Sequence, residues 1–138
     1  MKIGFACGVF DLFHAGHVLM LQECKQNCDF LIVALNSTNQ IDYSINPGKN
    51  KPIYNTEHRK LILESCQYVD QVIVYNNEEE LEKLLRDLNI AVRFLGEDYR
   101  GKSITAADAV SEIYYTNRGH NLSTSNYRHM IQGNLSEE

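Results

Sequence analysis

Gly8-Val9-Phe10-Asp11-Leu12-Phe13-His14-Ala15-Gly16-His17 is the stretch that decides the fold of this chain. It follows an apolar run, residues 3–7, which predicts a short buried strand. It precedes residues 18–25, whose apolar face predicts a helix. The first N–H groups of a helix have no intrahelical partners, and the helix dipole attracts anions to that end. The stretch therefore predicts a phosphate-binding turn between a strand and a helix.

Two histidines and two glycines give this turn its chemistry. His14 and His17 are three residues apart, so their side chains point toward one pocket if the helix includes them. Gly8 and Gly16 allow the backbone to approach a ligand closely. Two histidines at this spacing could instead bind zinc or line a core. The longer string around them favours a nucleotide site.

The string as a whole resembles the HxGH signature of the cytidylyltransferase-like nucleotidyltransferases, since the residues that flank the histidines belong to the same pattern. The resemblance implies a Rossmann-like fold with this signature after its first strand. It also implies that His14 and His17 act in catalysis and that the turn binds the nucleotide. The nucleotide-binding residues implied in this stretch are Gly8, Val9, Phe10, Asp11, His14, Gly16 and His17.

Length and composition limit the possible classes of protein. A chain of 138 residues, 43% hydrophobic and 22% charged, predicts one globular domain over residues 1–138. Its net charge of −5 argues against nucleic acid as a partner, because nucleic-acid binding needs a basic surface. No apolar run is long enough to span a membrane, and the amino terminus begins a strand without the pattern of a signal peptide. We therefore expect a cytoplasmic protein that binds no membrane.

The rest of the chain alternates between strand and helix patterns. Residues 29–35 form a near-continuous apolar run, which is typical of a strand buried on both faces of a parallel sheet. Further strands are predicted at 71–75, 91–95 and 112–116, and further helices at 55–66, 76–88 and 126–131. The pattern predicts an α/β, Rossmann-like three-layer fold with a five-stranded parallel sheet in the order 3-2-1-4-5. This order places the ligand crevice beside the first strand.

A long polar segment, residues 37–54, contains Pro47, Gly48 and Pro52 and predicts a loop. Loops of this length in compact domains are usually functional. Lys49 and Lys51 in this loop could be ordinary surface lysines. The resemblance to the HxGH family instead implies a catalytic role for both, as contacts to a triphosphate.

A second region of resemblance is Glu57-His58-Arg59-Lys60, followed by Tyr68-Val69-Asp70, which is similar to the glycerol-3-phosphate cytidylyltransferases of this family. It implies that Arg59 and Asp70 bind substrate, with the guanidinium fork of Arg59 on phosphate. A surface arginine paired with a glutamate is the alternative. Gln67 stands where the family typically has arginine. Either the acceptor therefore differs from glycerol 3-phosphate, or another basic residue binds its phosphate.

An acidic pair follows the fourth predicted strand, in Gly96-Glu97-Asp98-Tyr99. At the carboxyl edge of a parallel sheet these residues would face the ligand crevice. Asp98 and Glu97 could bind a hydrated magnesium ion or contact the nucleotide, or they could belong to an ordinary acidic turn. We expect Mg²⁺ as the cofactor, with Asp11 and Asp98 as its protein ligands.

The segment before the last predicted helix carries an arginine and a run of hydroxyls. Ser123, Thr124 and Ser125 could be ordinary helix caps. In the family that the chain resembles, an arginine followed by a Ser/Thr motif binds the nucleotide phosphates. The resemblance thus implies a catalytic and nucleotide-binding role for Arg118 and nucleotide-binding roles for Leu122, Ser123, Thr124 and Ser125.

The resemblance implies transfer of CMP from CTP to a small phosphorylated alcohol, such as glycerol 3-phosphate, with release of pyrophosphate. Such a reaction needs positioning and charge stabilisation more than covalent chemistry. The alternatives are an adenylyltransferase that uses ATP with a sugar phosphate or a flavin-type phosphate, a non-catalytic nucleotide-binding module, and, less favoured, a zinc protein. The resemblance also implies a homodimer.

Overall fold

The computed structural model describes residues 1–37, 52–117 and 122–136, with side chains described up to residue 133. The predicted contacts of Lys49, Lys51 and Arg118 therefore lie outside the described residues. The strands and helices, in chain order, are β1 (Ile3–Gly8), α1 (Ala15–Gln26), β2 (Phe30–Asn36), α2 (Thr56–Ser65), β3 (Gln71–Tyr75), α3 (Glu78–Asp87), β4 (Val92–Gly96), β5 (Glu112–Thr116) and α4 (Thr124–Ser136).

The five strands form one parallel sheet in the order β3-β2-β1-β4-β5, which confirms the predicted α/β, Rossmann-like topology. β1 lies at the centre and pairs with β2 along its whole length, from Ile3 opposite Phe30 to Gly8 opposite Leu35. Since the strands are parallel, the carboxyl ends of β1, β4 and β5 lie together on one side of the sheet.

Alternate residues of the central strands point into two cores, one on each face of the sheet. On one face Val33 of β2 packs with Leu21 of α1 and Leu63 of α2. On the other face Ile32 packs with Leu85 of α3. Helices therefore cover both faces, as the sequence pattern predicts, and β2 is apolar throughout because both of its faces are buried.

The helix bounds differ from the sequence prediction at two places near the crevice. α1 begins at Ala15 rather than at residue 18, because the His14 side chain provides its N-cap. α4 begins at Thr124 and extends to Ser136, where the sequence pattern predicted residues 126–131. Both helices consequently start closer to the ends of the strands than expected. Within the described ranges, no helix has the length and apolarity that a membrane crossing requires.

Candidate active site

A cavity of about 570 Å³ opens at the carboxyl edge of the sheet, where β1, β4 and β5 end. Pockets for small ligands typically have volumes of this order. The predicted nucleotide-binding residues that line it are Gly8, Val9, Phe10, Asp11, His14, Gly16, His17, Asp98, Leu122, Ser123, Thr124 and Ser125. The structure thus brings together, around one cavity, every member of that set within its described ranges.

The turn after β1 is held in a strained conformation. Phe10 and Leu12 have φ angles of 52° and 49°, in the left-handed region that costs a residue with a side chain about 1–2 kcal/mol. Such strain persists only where surrounding contacts over-determine the backbone, and it is concentrated at functional sites. Here the Phe10 side chain is buried against the core, and Asp11 between the two residues is only 4% exposed. The turn is therefore fixed before any ligand binds.

The two histidines cap α1 reciprocally. The Gly16 N–H donates to His14 Nδ1 at 3.0 Å, and the His14 N–H donates to His17 Nδ1 at 3.1 Å. An imidazole nitrogen that accepts a hydrogen bond carries no proton, so each neutral ring carries its proton on Nε2. The helix cap thereby fixes both tautomers and places the Nε2–H group on the side of each ring away from the cap. Such donors suit phosphate oxygens in the cavity that both side chains line.

Aromatic contacts fix the orientation of both imidazoles. The rings of His14 and His17 lie 3.9 Å apart between centroids, and Phe13 stacks on His17 at 5.2 Å with an interplanar angle of 14°. On the other side, Tyr127 of α4 contacts the His14 ring at 5.0 Å. A row of four rings thus joins the turn to α4, and it limits the rotation of both histidines.

Gly16 makes room for this arrangement. A Cβ atom at Gly16 would lie 2.8 Å from Cε1 of His14 and 2.9 Å from Cβ of Leu122, which is closer than real Cβ atoms come. The sequence suggested that Gly16 lets the backbone approach a ligand. In the structure the absent side chain leaves space for the His14 ring and for Leu122, two residues before α4.

Asp11 connects three segments at the cavity. Its carboxylate accepts hydrogen bonds from the N–H groups of Ile53 (2.8 Å) and Tyr54 (2.9 Å), and from the Arg128 guanidinium of α4. Its carbonyl oxygen accepts a hydrogen bond from Thr124 Oγ1 at 3.0 Å. Asp11 therefore joins the turn after β1 to the segment before α2 and to the first turns of α4.

These bonds predict how Asp11 affects stability with pH. Burial alone would raise the pKa of Asp11, but the N–H groups of Ile53 and Tyr54 and the charge of Arg128 outweigh it, and the pKa lies below its usual value. The ionised carboxylate thus stabilises the fold above about pH 4, and this stabilisation is lost as the pH falls through the folded-state pKa.

We expect Asp11→Asn to lower the free energy of unfolding at pH 7 by about 1–3 kcal/mol. The difference from wild type shrinks as the pH falls below about 4, because wild type then loses the same charge. Urea unfolding at pH 7, 5 and 3 measures this, with Asp87→Asn, at an exposed position of α3, as the control. A difference between Asp11→Asn and wild type that stays constant with pH would contradict the role of ionisation.

The carboxylates at the cavity differ in their fitness for a metal ion. The Asp11 oxygens already accept hydrogen bonds from two N–H groups and an arginine, so Asp11 does not fit the predicted role of direct metal ligand. Asp98 is exposed, follows β4 in a short 3-10 turn, and lines the cavity. The described residues contain no group of three or more side chains that could hold a metal by themselves. Of the two described carboxylates that line the cavity, Asp98 is the one that fits an ion arriving bound to substrate phosphates, as Mg²⁺ commonly does.

The structure does not place Arg59 at the cavity. The side chain is 1% exposed, and its five N–H donors are all used. They donate to the carbonyl oxygens of Val9, Asn36, Ser37 and Tyr54 and to Thr56 Oγ1. No N–H group of Arg59 remains for a phosphate in this structure, which does not bring Arg59 together with the residues that line the cavity. Arg59 instead binds the segments that border the cavity to one another.

Asp70 and Gln67 lie near the amino end of β3, on the side of the sheet opposite the cavity. Asp70 directly precedes β3, and its carboxylate accepts hydrogen bonds from the Leu31 N–H, near the start of β2, and from Lys25 Nζ. The amino ends of parallel strands are on the side away from the cavity. The structure therefore does not bring Asp70 to the cavity, and the missing charge at Gln67 removes nothing from the cavity of its own chain.

Comparison with known proteins agrees with this geometry. A family model described as cytidylyltransferase-like matches residues 5–130. The chain belongs to this family. Glycerol-3-phosphate cytidylyltransferase of Bacillus subtilis (strain 168) is 40% identical over 134 residues, which cover 96% of this chain and 99% of that protein. The bifunctional protein HldE of Wolinella succinogenes is also 40% identical over 134 residues, but these cover only 27% of that protein. The cytidylyltransferase-like chain thus spans about a quarter of the HldE protein.

Solved structures show the same fold. The lipopolysaccharide core biosynthesis protein from Thermoplasma volcanium GSS1 superposes with a TM-score of 0.68 at 26% identity, over 85% of this chain and 97% of that chain. Pantothenate synthetase from Thermus thermophilus has a TM-score of 0.60 at 14% identity, over 92% of this chain and 61% of that one, and shows the fold alone.

Several cavity residues of this cytidylyltransferase-like domain were not predicted from the sequence. Arg128 comes from α4, while Thr116 and Asn117 come from the end of β5. Helical spacing could have identified Arg128, which is four residues after Thr124 and shares its face of α4. The sequence pattern began that helix at residue 126 and so missed the relation. The others follow strand ends, a position that alone predicts proximity to the crevice.

Proposed function

We propose that this protein transfers CMP from CTP to a small phosphorylated alcohol, such as glycerol 3-phosphate, and releases pyrophosphate. The observation that carries the proposal is the pair of Nε2–H donors, fixed by the reciprocal cap of His14 and His17 at a helix amino terminus in the cavity. The similarity to a glycerol-3-phosphate cytidylyltransferase over nearly the whole of both chains supports this substrate pair.

In this reaction a phosphate oxygen of the acceptor attacks the α-phosphorus of CTP. The new P–O bond forms while the bond to the pyrophosphate oxygen breaks, and pyrophosphate leaves with that electron pair. His14 and His17 donate hydrogen bonds to phosphate oxygens, whose charge is redistributed in the transition state. The rigid turn and the ring contacts hold these donors in place without reorganisation during the step. No covalent intermediate with the protein is required.

We propose that Lys49, Lys51 and Arg118 neutralise the charge of the triphosphate, as the resemblance implies. The hydroxyls of Ser123 and Ser125 donate hydrogen bonds to its oxygens. Ser123 Oγ also accepts the Asn126 N–H at 3.1 Å, so it acts in the first turn of α4 as well as at the cavity. The amino terminus of α4 adds a second helix dipole directed at anions.

The test is pyrophosphate release with Mg²⁺ and glycerol 3-phosphate, measured with CTP and with ATP. Release with CTP alone supports the proposal. Release with ATP alone favours an adenylyltransferase, which is the second candidate because 40% identity extends both to a cytidylyltransferase and to a bifunctional HldE protein. Nucleotide binding without release, across a panel of phosphorylated alcohols and sugars, would contradict both candidates and favour a binding module.

Mg²⁺ is proposed to reach the site on the nucleotide and to bind Asp98. When bound, it neutralises phosphate charge and orients the triphosphate. We expect Asp98→Asn to raise the Mg²⁺ concentration needed for half-maximal turnover by about tenfold or more. Glu97→Gln is the matched control, because Glu97 is exposed, pairs with Arg100 and does not line the cavity. An unchanged Mg²⁺ dependence in Asp98→Asn would contradict this ligand.

We further propose a homodimer, as the resemblance implies, and a cytoplasmic location, as the sequence pattern predicts. Light scattering of the purified chain tests the dimer, and cell fractionation tests the compartment. A monomer at the concentrations of the activity assay would contradict the first.

A further inference from the structure

One positive charge at the cavity is not accounted for by the roles assigned above. Among the described residues that line the cavity, Arg128 is the only lysine or arginine. Its side chain is 21% exposed, so the guanidinium is reachable from the cavity. One N–H group of its Nη2 nitrogen donates to the Asp11 carboxylate, and within the described ranges no other polar contact of the guanidinium is found. The rest of its fork is therefore available to a ligand.

The position of Arg128 defines one half of the cavity. Asp11, to which it is bound, also binds the N–H groups of Ile53 and Tyr54, and this segment is joined through Arg59 to the end of β2. Arg128 thus lies toward the β2 side of β1. The other half is lined by residues that follow β4 and β5, which include Asp98 and Asn117. The two halves flank the histidines of the central turn.

We propose that Arg128 binds the phosphate of the acceptor substrate, a phosphomonoester dianion, in the β2-side half of the cavity. The proposal rests on the proposed function. It follows from three observations in the described structure: Arg59 has no donor left, Gln67 is at the far edge of the sheet, and Arg128 is the cation that this half presents. The planar fork of arginine can bind a carboxylate and a phosphate at the same time.

The pair with Asp11 explains how such a site functions in an acidic cavity. Arg128 neutralises the buried carboxylate of Asp11, which would otherwise repel phosphate. In return Asp11, anchored by two backbone N–H groups, fixes one edge of the guanidinium. The remaining N–H groups then have a defined direction before the acceptor binds, which reduces the entropy lost on binding.

The experiment is a comparison of KM values for the two substrates in Arg128→Gln, Arg128→Lys and wild type. We expect Arg128→Gln to raise KM for glycerol 3-phosphate about 10- to 100-fold, the usual effect of losing a hydrogen bond to a charged group. KM for CTP should change less than about threefold, and Arg128→Lys should recover part of the loss because it keeps the charge. Arg100→Gln is the control for net charge, because Arg100 is exposed and pairs with Glu97 outside the cavity lining.

A purely structural role would lower stability without separating the two KM values. An unchanged KM for the acceptor, or a rise in KM for CTP instead, overturns the proposal. If wild type releases no pyrophosphate at all, the proposed function fails, and calorimetry with inorganic phosphate tests the site by itself. Weaker phosphate binding in Arg128→Gln than in Arg100→Gln then supports the anion site, and equal binding overturns it.

Discussion

His17→Ala is expected to lower turnover about 100- to 1,000-fold while the protein remains folded. The loss of one preorganised donor to a developing phosphate charge typically costs this much, because no water molecule replaces it in the same position. His17 also accepts the His14 N–H, so the substitution removes a helix cap as well as a donor. A fall in activity alone would therefore not distinguish catalysis from capping.

His17→Gln separates the two roles. A glutamine at the third helical position can accept the N–H of the N-cap residue, as in an ordinary capping box. It has no imidazole, so it restores the cap without restoring the Nε2–H donor at its place. We expect His17→Gln to unfold at nearly the temperature of wild type and to remain at least about 100-fold less active. Near wild-type turnover in this variant would show that the histidine only caps the helix.

The control for surface histidines is His129→Ala. His129 is exposed on α4 and does not line the cavity. Single-turnover measurement with saturating CTP checks that the fall in His17→Ala is in the chemical step. Equal losses in His129→Ala and His17→Ala would contradict a specific role for the turn.

The sheet and its order were predictable because their cause is local in the sequence. The near-continuous apolar run of β2 can be buried only in a sheet that has both of its faces covered by helices. The signature after β1 marks the position of the ligand crevice. The histidines could be placed for the same reason, since the spacing of His14 and His17 is a property of one helix turn. Their reciprocal cap, however, depends on Nδ1 positions that no sequence pattern specifies.

The roles of Arg59 and Asp70 could not be predicted from the sequence. Similarity to a family segment does not specify where a charged side chain points, because its orientation is set by the folded structure. Arg59 lies in the first turn of α2, close to the segment end that borders the cavity, yet its side chain turns inward to backbone carbonyl oxygens. Asp70 lies directly before β3 rather than after it. A residue before a parallel strand lies at the amino ends of the strands, on the side of the sheet away from the cavity. Asp11 was predicted as a ligand residue. Its hydrogen bonds to the N–H groups of Ile53 and Tyr54 could not be predicted, because they join residues 42 and 43 positions apart in the chain.

Arg59→Met is expected to lower the free energy of unfolding by about 3–5 kcal/mol, the range seen when one partner of a buried charged network is removed. Methionine fills a similar length of space but leaves the carbonyl oxygens of Val9, Asn36, Ser37 and Tyr54 without the donors they now have. Burial lowers the pKa of Arg59 below its usual value, and the nearby charge of Asp11 offsets this effect only in part.

Arg86→Met is the matched control. Arg86 is exposed on α3 and forms ion pairs with Glu82 and Asp108, whereas the buried Arg59 donates chiefly to backbone carbonyl oxygens. Exposed pairs contribute little to stability because solvent screens them. Urea unfolding should therefore show a large loss for Arg59→Met and almost none for Arg86→Met. Arg59→Lys, with three donors on one nitrogen instead of a planar fork, should recover only part of the loss.

The same variants decide between the two roles of Arg59. If it bound phosphate, Arg59→Met would leave the free energy of unfolding nearly unchanged and raise KM for a phosphorylated substrate. If it joins the backbone of the turn to β2, stability falls, and turnover falls with it, because Val9 belongs to the turn that positions the histidines. Addition of the acceptor at saturating concentration would restore turnover in the first case and not in the second. We expect the second result, since the five N–H groups of Arg59 already have protein partners.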